Sequence, residues 1–330
     1  MTQVRPRIWV LLGHRRGDNN QLLALAEGLG LPFETRSLAY NGLWSIFLGT
    51  FPAQPYLLAR KARARLNPPW PDLVIGIGRR SVAVSRWIKK QSGGRTKIVR
   101  LGNPRASSNL FDLVVTTPQY PIAPAPNVLI LPVSMGRYST APKPKAEELN
   151  WLEKLPRPHV LVSLGGTTRY WRLPDDHLVA TMKQLSERVS ANSGSLIVAS
   201  SPRTPASAIK AIKATGIDCH MVSDGPIRYP VLLADADENF VTADSVSMIS
   251  EAVLAGKPVG LIPVELDKEG RKALGTDGFS KTKRDIRRFW ASLQSQGLVG
   301  TLAEPKSGAV DDPVLLAAKV VKRLLGDGVQ

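Results

Sequence analysis

ENFVTADSVSMISEAVLAGKPVGLIPV, residues 238–264, holds two apolar runs with a helical pattern between them. Neither run alternates with polar residues. That texture belongs to strands covered on both faces, and a helix joining two such strands makes a parallel sheet. The first strand ends in a polar cluster, Asp244, Ser245 and Ser247, and the helix begins near Ser245 or Ser247. Gly256 and Pro258 stop it. A helix start carries unpaired N–H groups and a partial positive charge, which suit a phosphate. The same three residues are also preferred N-caps, so the cluster either seals the helix or leaves it open to an anion. Glu251 lies four residues after Ser247 on the same face. It can accept hydrogen bonds from ribose hydroxyls, or stand as a solvated helix acid.

The pattern recurs in both directions. Toward the N-terminus, strands are expected at 7–13, 71–78, 96–102, 112–117 and 127–131, with helices at 20–30 and after 80. Residues 139–158, STAPKPKAEELNWLEKLPRP, are rich in Pro and Lys and read as a linker. Beyond it come strands at 159–166, 195–200, 238–244 and 258–264, and helices near 175–191 and 204–215. The expected architecture is α/β, with two Rossmann-like domains at 1–140 and 151–308. An amphipathic helix at 313–325, within a tail of 309–330, can pack on either.

The chain of 330 residues has a net charge of +17. Residues 1–150 hold 21 basic and 7 acidic side chains, against 23 and 20 in the remainder. A basic first half suits an anionic lipid, a nucleic acid or a phosphorylated substrate, or is simply a soluble basic surface. Cys219 is the only cysteine. An internal disulfide and a Cys-based zinc cluster are excluded, and a reducing compartment is expected. The N-terminal apolar run is too short for a signal core, and no stretch has the length of a membrane span. A cytoplasmic protein is expected, resting on the inner face of the membrane if it meets one.

Ligands of doubly wound sheets sit beyond the carboxyl ends of the strands. In the second half the loops there are GGTTR, with Gly165, Gly166, Thr167 and Arg169, and SSPRTP, with Ser201, Arg203 and Thr204. Glycines admit a phosphate close to backbone, and hydroxyls and arginines complete an anion site. Each loop alone also reads as an ordinary turn. In the first half, GHRRGDNNQ gathers Gly13, His14, Asp18 and Gln21, and the next strand end brings Arg79 and Arg80. Asp18 is the candidate general base, with His14 as the alternative. Asp18 or Asn19 can instead cap the helix that follows. Trp44, Phe47 and Phe51 precede Arg60, Lys61, Arg63 and Arg65. Aromatics beside a basic run resemble an interfacial membrane patch, or a helical hairpin with buried rings and solvated charges. The four histidines show no metal spacing, so no metal site is expected. The basic stretch 270–290 lacks the interleaved aromatics of a nucleic-acid surface, and no nucleic-acid partner is expected.

Taken together, GHRRGDNNQLLALAEGLG (13–30), PDLVIGIGRRS (71–81), LGNPR (101–105), FDLVVTTPQY (111–120), SPRTP (201–205), VTADSVSMISEA (241–252), GKPV (256–259) and RRFWASLQSQGLV (287–299) resemble one family. It is the plant mitochondrial-fission "elongated mitochondria" (ELM) proteins and their bacterial relatives, regarded as GT-B-type glycosyltransferases. Thr167-Thr168-Arg169 departs from the family's pattern. The resemblance implies two Rossmann-like domains with parallel sheets facing a central cleft. The second would hold a nucleotide-diphosphate sugar and the first an acceptor, expected to be lipid-linked. It also implies metal-independent, cofactor-free chemistry, and a C-terminal helix that returns to the first domain. An inverting transfer would use Gly165, Gly166, Ser245, Ser247 and Arg203 at the diphosphate, Glu251 at the ribose and Asp18 as base. A sugar-nucleotide epimerase and a non-catalytic membrane-associated fission-type adaptor are the alternative readings.

Overall fold

A computed structural model describes residues 5–40, 57–104, 106–136 and 142–326. The chain divides into two compact units, residues 1–137 with 311–330, and residues 138–310. Both are α/β with parallel sheets.

The first unit runs β1 (Ile8–Leu12), α1 (Arg16–Gly28), β2 (Phe33–Ser37), α2 (Arg60–Arg63), β3 (Leu73–Ile77), α3 (Arg79–Gln91), β4 (Lys97–Leu101), β5 (Leu113–Thr116) and β6 (Val128–Ile130). The six strands form one sheet in the order β2-β1-β3-β4-β5-β6, every pair parallel. The strands β1, β3, β4 and β5 are the continuous apolar runs of the sequence, and they are buried along nearly their whole length. The edge strand β2, FETRS, has no apolar run and was not expected. Its pairing with β1 holds it in place. Helix α1 starts at Arg16, earlier than the apolar periodicity suggests, because its first turn carries no apolar side chain.

The second unit runs α4 (Ala146–Glu153), β7 (His159–Leu164), β8 (Trp171–Arg172), α5 (Asp175–Ala191), β9 (Ser195–Ser200), α6 (Ala206–Ala214), β10 (His220–Met221), α7 (Tyr229–Asp235), β11 (Glu238–Thr242), α8 (Val246–Leu254), β12 (Val259–Ile262), β13 (Glu265–Leu266), α9 (Lys268–Leu274) and α10 (Ile286–Ser295). Five strands make a parallel sheet in the order β10-β9-β7-β11-β12, and β8 pairs antiparallel with β13. Leu178, Met182 and Leu185 of α5 pack on Val160, Val162, Val198 and Phe240.

The C-terminal helix α11 (Pro313–Leu325) belongs to the first unit. The Asp312 carboxylate caps it, accepting from the N–H groups of Val314 at 2.7 Å and Leu315 at 3.2 Å. Val314, Ala317, Ala318 and Val321 enter the core beside Leu22 and Leu25 of α1. The contact is close enough to require a glycine, since a Cβ on Gly28 would lie 2.4 Å from Cγ1 of Val314.

The stretch read as a linker contains α4, and α4 is part of the second unit. Its Glu148 is fully buried, accepting from Nη2 of Arg228 at 2.6 Å and Nε at 2.7 Å. Trp151 lies over Gly225, where a Cβ would be 2.8 Å from the indole Nε1. The Pro- and Lys-rich composition hid a helix only two turns long, too short to show a periodicity.

Hydrogen bonds from Arg228 lower the Glu148 carboxyl from 4.5 to about 2, against the opposing pull of burial. A carboxyl depressed in the folded state stabilises fully above its unfolded pKa and loses that contribution as pH falls toward the folded value. The urea midpoint gap between the native protein and Glu148→Gln should therefore be constant from pH 7 to pH 5. It should narrow steadily from about pH 4.5 toward pH 2.

Candidate functional site

Each sheet reverses its strand order once, between β7 and β11 in the second unit and between β1 and β3 in the first. The crevice beyond the carboxyl ends at such a reversal is where doubly wound sheets hold ligands. In the second unit it brings together Gly165 and Gly166 after β7 and Ala243–Ser245 after β11.

Asp244 lies at the centre of this turn, its side chain 2% exposed. Its Oδ1 accepts from the Thr242 hydroxyl at 2.7 Å. Its Oδ2 accepts from the Gly166 N–H at 3.2 Å and from Nη1 of Arg203 at 2.8 Å. The Gly165 N–H donates to Thr242 Oγ1 at 2.7 Å. Both glycine amides are thus engaged inside the protein, and the expectation that they face a diphosphate is revised. What these positions require is the absence of a side chain. A Cβ at Gly165 would sit 2.1 Å from Asp244, and one at Gly166 would sit 1.9 Å from the Arg203 carbonyl oxygen.

The loop after β9 is tied to the loop after β7. The Thr204 hydroxyl lies 2.6 Å from the Gly165 carbonyl oxygen and 2.8 Å from that of Leu164, and Ser201 Oγ donates to Gly165 at 3.2 Å. Ser201 and Thr204 therefore brace the turn. Arg203 has its head partly in solvent, with a side chain 42% exposed. Thr167 is exposed, and so is Arg169, whose guanidinium stacks 5.1 Å from the Tyr170 ring.

Helix α8 begins directly after the clamp. Ser245 is its N-cap residue, buried, and its side chain makes no capping hydrogen bond. Instead its hydroxyl lies 3.3 Å from that of Ser247, which is exposed. Asp244 faces inward and does not cap either. The capping reading is thereby corrected. The first-turn N–H groups of Val246, Ser247 and Met248 have no intrahelical acceptor by geometry, and they carry the positive end of the helix dipole. Glu251 is half-buried one turn further along. Its charge, second to burial, raises the pKa of the Tyr229 phenol, which sits 3.2 Å from Ser163 Oγ.

In the first unit the reversal gathers the loop after β1 and the start of α3. Asn19 closes the loop, accepting from the Gly13 N–H at 2.9 Å and donating to its carbonyl at 3.0 Å. Asp18 and Asn19 both lie inside α1, so neither caps it. The Asp18 carboxylate approaches Gly78, 3.8 Å from where a Cβ would be. His14 Nδ1 lies 3.4 Å from Nη1 of Arg80, and the Tyr40 hydroxyl donates to the Arg80 carbonyl at 2.7 Å. Arg79 is exposed and Gln21 half-buried on α1.

Of the expected membrane patch, Trp44, Phe47 and Phe51 lie outside the described residues. Arg60, Lys61, Arg63 and Arg65 are exposed, while Ala62 and Leu66 enter the core.

Several residues escaped the sequence reading. Thr242, inside an apolar strand, is the hub of the clamp. Trp290 donates to the Ala243 carbonyl at 2.8 Å and meets the Trp171 ring edge-on at 5.0 Å. Arg100, 1% exposed, donates to the Gly78 carbonyl at 2.7 Å and to Ser81 Oγ at 2.5 Å. A hydroxyl or a guanidinium inside an otherwise apolar strand is the local signal that marks Thr242 and Arg100.

Over residues 16–324 the chain matches the model of the family described as Mitochondrial fission ELM1. The mitochondrial fission protein ELM1 of Arabidopsis thaliana is 28% identical over 272 residues, covering 72% of this chain. The matched part spans 58% of that relative's length. Among solved structures, a UDP-N-acetylglucosamine 2-epimerase from Rickettsia bellii is 14% identical with a TM-score of 0.51, covering 98% of this chain and 97% of its own. A glycosyltransferase from Rickettsia africae is 12% identical with a TM-score of 0.52, covering 98% of this chain and 100% of its own. At such identity the likeness is one of fold.

Gly166→Ala pushes a methyl into the Arg203 backbone and should destabilise the protein by about 1–3 kcal/mol in urea denaturation. Gly17→Ala, on α1 with nothing within 4 Å, should be neutral or stabilising.

Proposed function

The chain belongs to the Mitochondrial fission ELM1 family, and from that premise we propose that it is a glycosyltransferase using a nucleotide-diphosphate sugar. The observation that carries this reading is the uncapped start of α8 at the strand reversal, with Glu251 one turn beyond it. A diphosphate would be held by the first-turn amides of α8 and the Ser245 and Ser247 hydroxyls. Glu251 would take the ribose hydroxyls. The exposed end of Arg203, anchored by Asp244, would supply the cation at the rim. These groups are fixed before the reaction, so they stabilise the leaving diphosphate as its charge develops. No metal or cofactor enters the proposal.

Asp18 of the first unit would accept the proton of the acceptor hydroxyl, with His14 as the alternative base. The acceptor oxygen bonds to the anomeric carbon from the face opposite the diphosphate, the carbon–phosphate-oxygen bond breaks, and the configuration inverts. The basic first half supports an anionic, lipid-linked acceptor of the cell envelope, met by a peripheral protein at the cytoplasmic face. Among the described residues no helix is long and apolar enough to cross a membrane. An epimerase is the second reading, since the R. bellii enzyme shares this fold. A non-catalytic fission adaptor is the third, since the family takes its name from fission.

A thermal-shift series with nucleotides and nucleotide sugars tests donor binding. A true donor at 100 times its Kd adds about 2.7 kcal/mol of stability. Glu251→Ala should weaken that binding by roughly 10- to 100-fold. Asp18→Asn should keep donor binding and lower transfer by about 10²–10⁴-fold. Turnover of the donor without any acceptor would favour the epimerase. Unaltered transfer by Asp18→Asn would move the base elsewhere, and the absence of any nucleotide shift would favour the adaptor.

A further inference from the structure

The segment 268–288 stands apart in charge. The second unit contains 22 basic and 19 acidic side chains, and this segment alone contributes eight and three of them. The rest of the unit is therefore slightly acidic, and its positive charge is concentrated here.

Local structure turns that charge outward. Asp285, fully buried, caps α10 through the Arg287 N–H at 3.1 Å and holds the Ser280 N–H at 3.0 Å. Arg287 is drawn inward by the same carboxylate at 2.7 Å. The loop between α9 and α10 is thus pinned near both ends. Gly275 and Gly278, at φ 75° and 69°, let the backbone turn. Phe279 follows and stands 44% exposed, with the Arg288 guanidinium 5.2 Å from its ring. Lys268, Lys272, Lys281 and Lys283 are exposed and form no ion pair among the described residues. Two contacts brace the segment against the candidate site. Gly270 packs under the Tyr170 carbonyl, and Trp290 of α10 bonds the Ala243 carbonyl beside the clamp.

We propose that this segment is a docking surface for an anionic lipid bilayer, with Phe279 entering the boundary between headgroups and acyl chains and the four lysines meeting lipid phosphates. Charge complementarity selects the partner class. The single aromatic tip selects a bilayer over single-stranded nucleic acid. Base stacking uses a platform of several open rings, and here the one exposed ring already carries a guanidinium. The proposal does not rest on sugar transfer, because it needs neither donor nor acceptor.

Sedimentation of the full chain with vesicles tests it. Binding to phosphatidylcholine–phosphatidylglycerol vesicles is expected, with little binding to phosphatidylcholine alone. Lys281→Ala with Lys283→Ala should weaken anionic partitioning about 25-fold, roughly fivefold per lysine. That loss should fade in high salt, whereas the loss caused by Phe279→Ser should persist. All the substituted side chains are exposed, so melting temperatures and nucleotide-induced shifts should match the native protein. Vesicle binding unchanged in these variants would overturn the proposal and place any membrane contact on another surface. So would equal binding to neutral vesicles, or a lysine-dependent preference for a single-stranded oligonucleotide over both kinds of vesicle.

Discussion

A buried carboxylate organises the second unit. Asp244 is removed from water at the end of β11, and an uncompensated charge there would be costly. Three donors from three segments offset that cost: the Gly166 amide, the Thr242 hydroxyl and the Arg203 guanidinium. Gly166 and Arg203 belong to the loops after β7 and β9, and Thr242 ends β11, the strand that leads into the acid's own loop. Satisfying one acid therefore fixes the relative positions of three loops. It also dictates which side chains can stand nearby, because both glycines after β7 lie too close to their neighbours to carry a Cβ.

The clamp has a chemical consequence. By occupying the glycine amides, it leaves the first-turn N–H groups of α8 as the proposed anion contact of the crevice. Asp244 faces the glycine loop and Ser245 pairs with Ser247, so the first turn of α8 is not closed by its own sequence. The negative charge of Asp244 does not oppose an anion there alone, because Arg203 stands against it. Trp290, itself in edge contact with Trp171, ties the same turn through the Ala243 carbonyl.

Much of this was legible in the sequence, for physical reasons that differ by element. Strands β1, β3, β7 and β11 read correctly because burial on both faces leaves an unbroken apolar run. Helix α11 read correctly because its apolar residues recur at helical spacing over 313–325. Strand β2 did not, since an exposed edge strand needs no apolar run. Helix α1 starts earlier than its periodicity shows because its first turn, Arg16 to Asn19, carries no apolar side chain. The site residues of α8 were legible as a cluster, but their roles were not. The pairing of β7 with β11 joins residues far apart in the chain, and no local pattern encodes that Asp244 meets Gly166. Thr242 and Arg100 were overlooked because a lone polar residue in an apolar strand was read as part of the strand.

The central claim is that the first-turn amides of α8 are the diphosphate contact. Amide chemical shifts of the protein titrated with UDP test it most directly. The account predicts large, saturable shifts at Val246, Ser247 and Met248, while the Gly165 and Gly166 amides keep their internal partners. Saturation with UDP that left the α8 amides in place and moved those of Gly165 and Gly166 would contradict it.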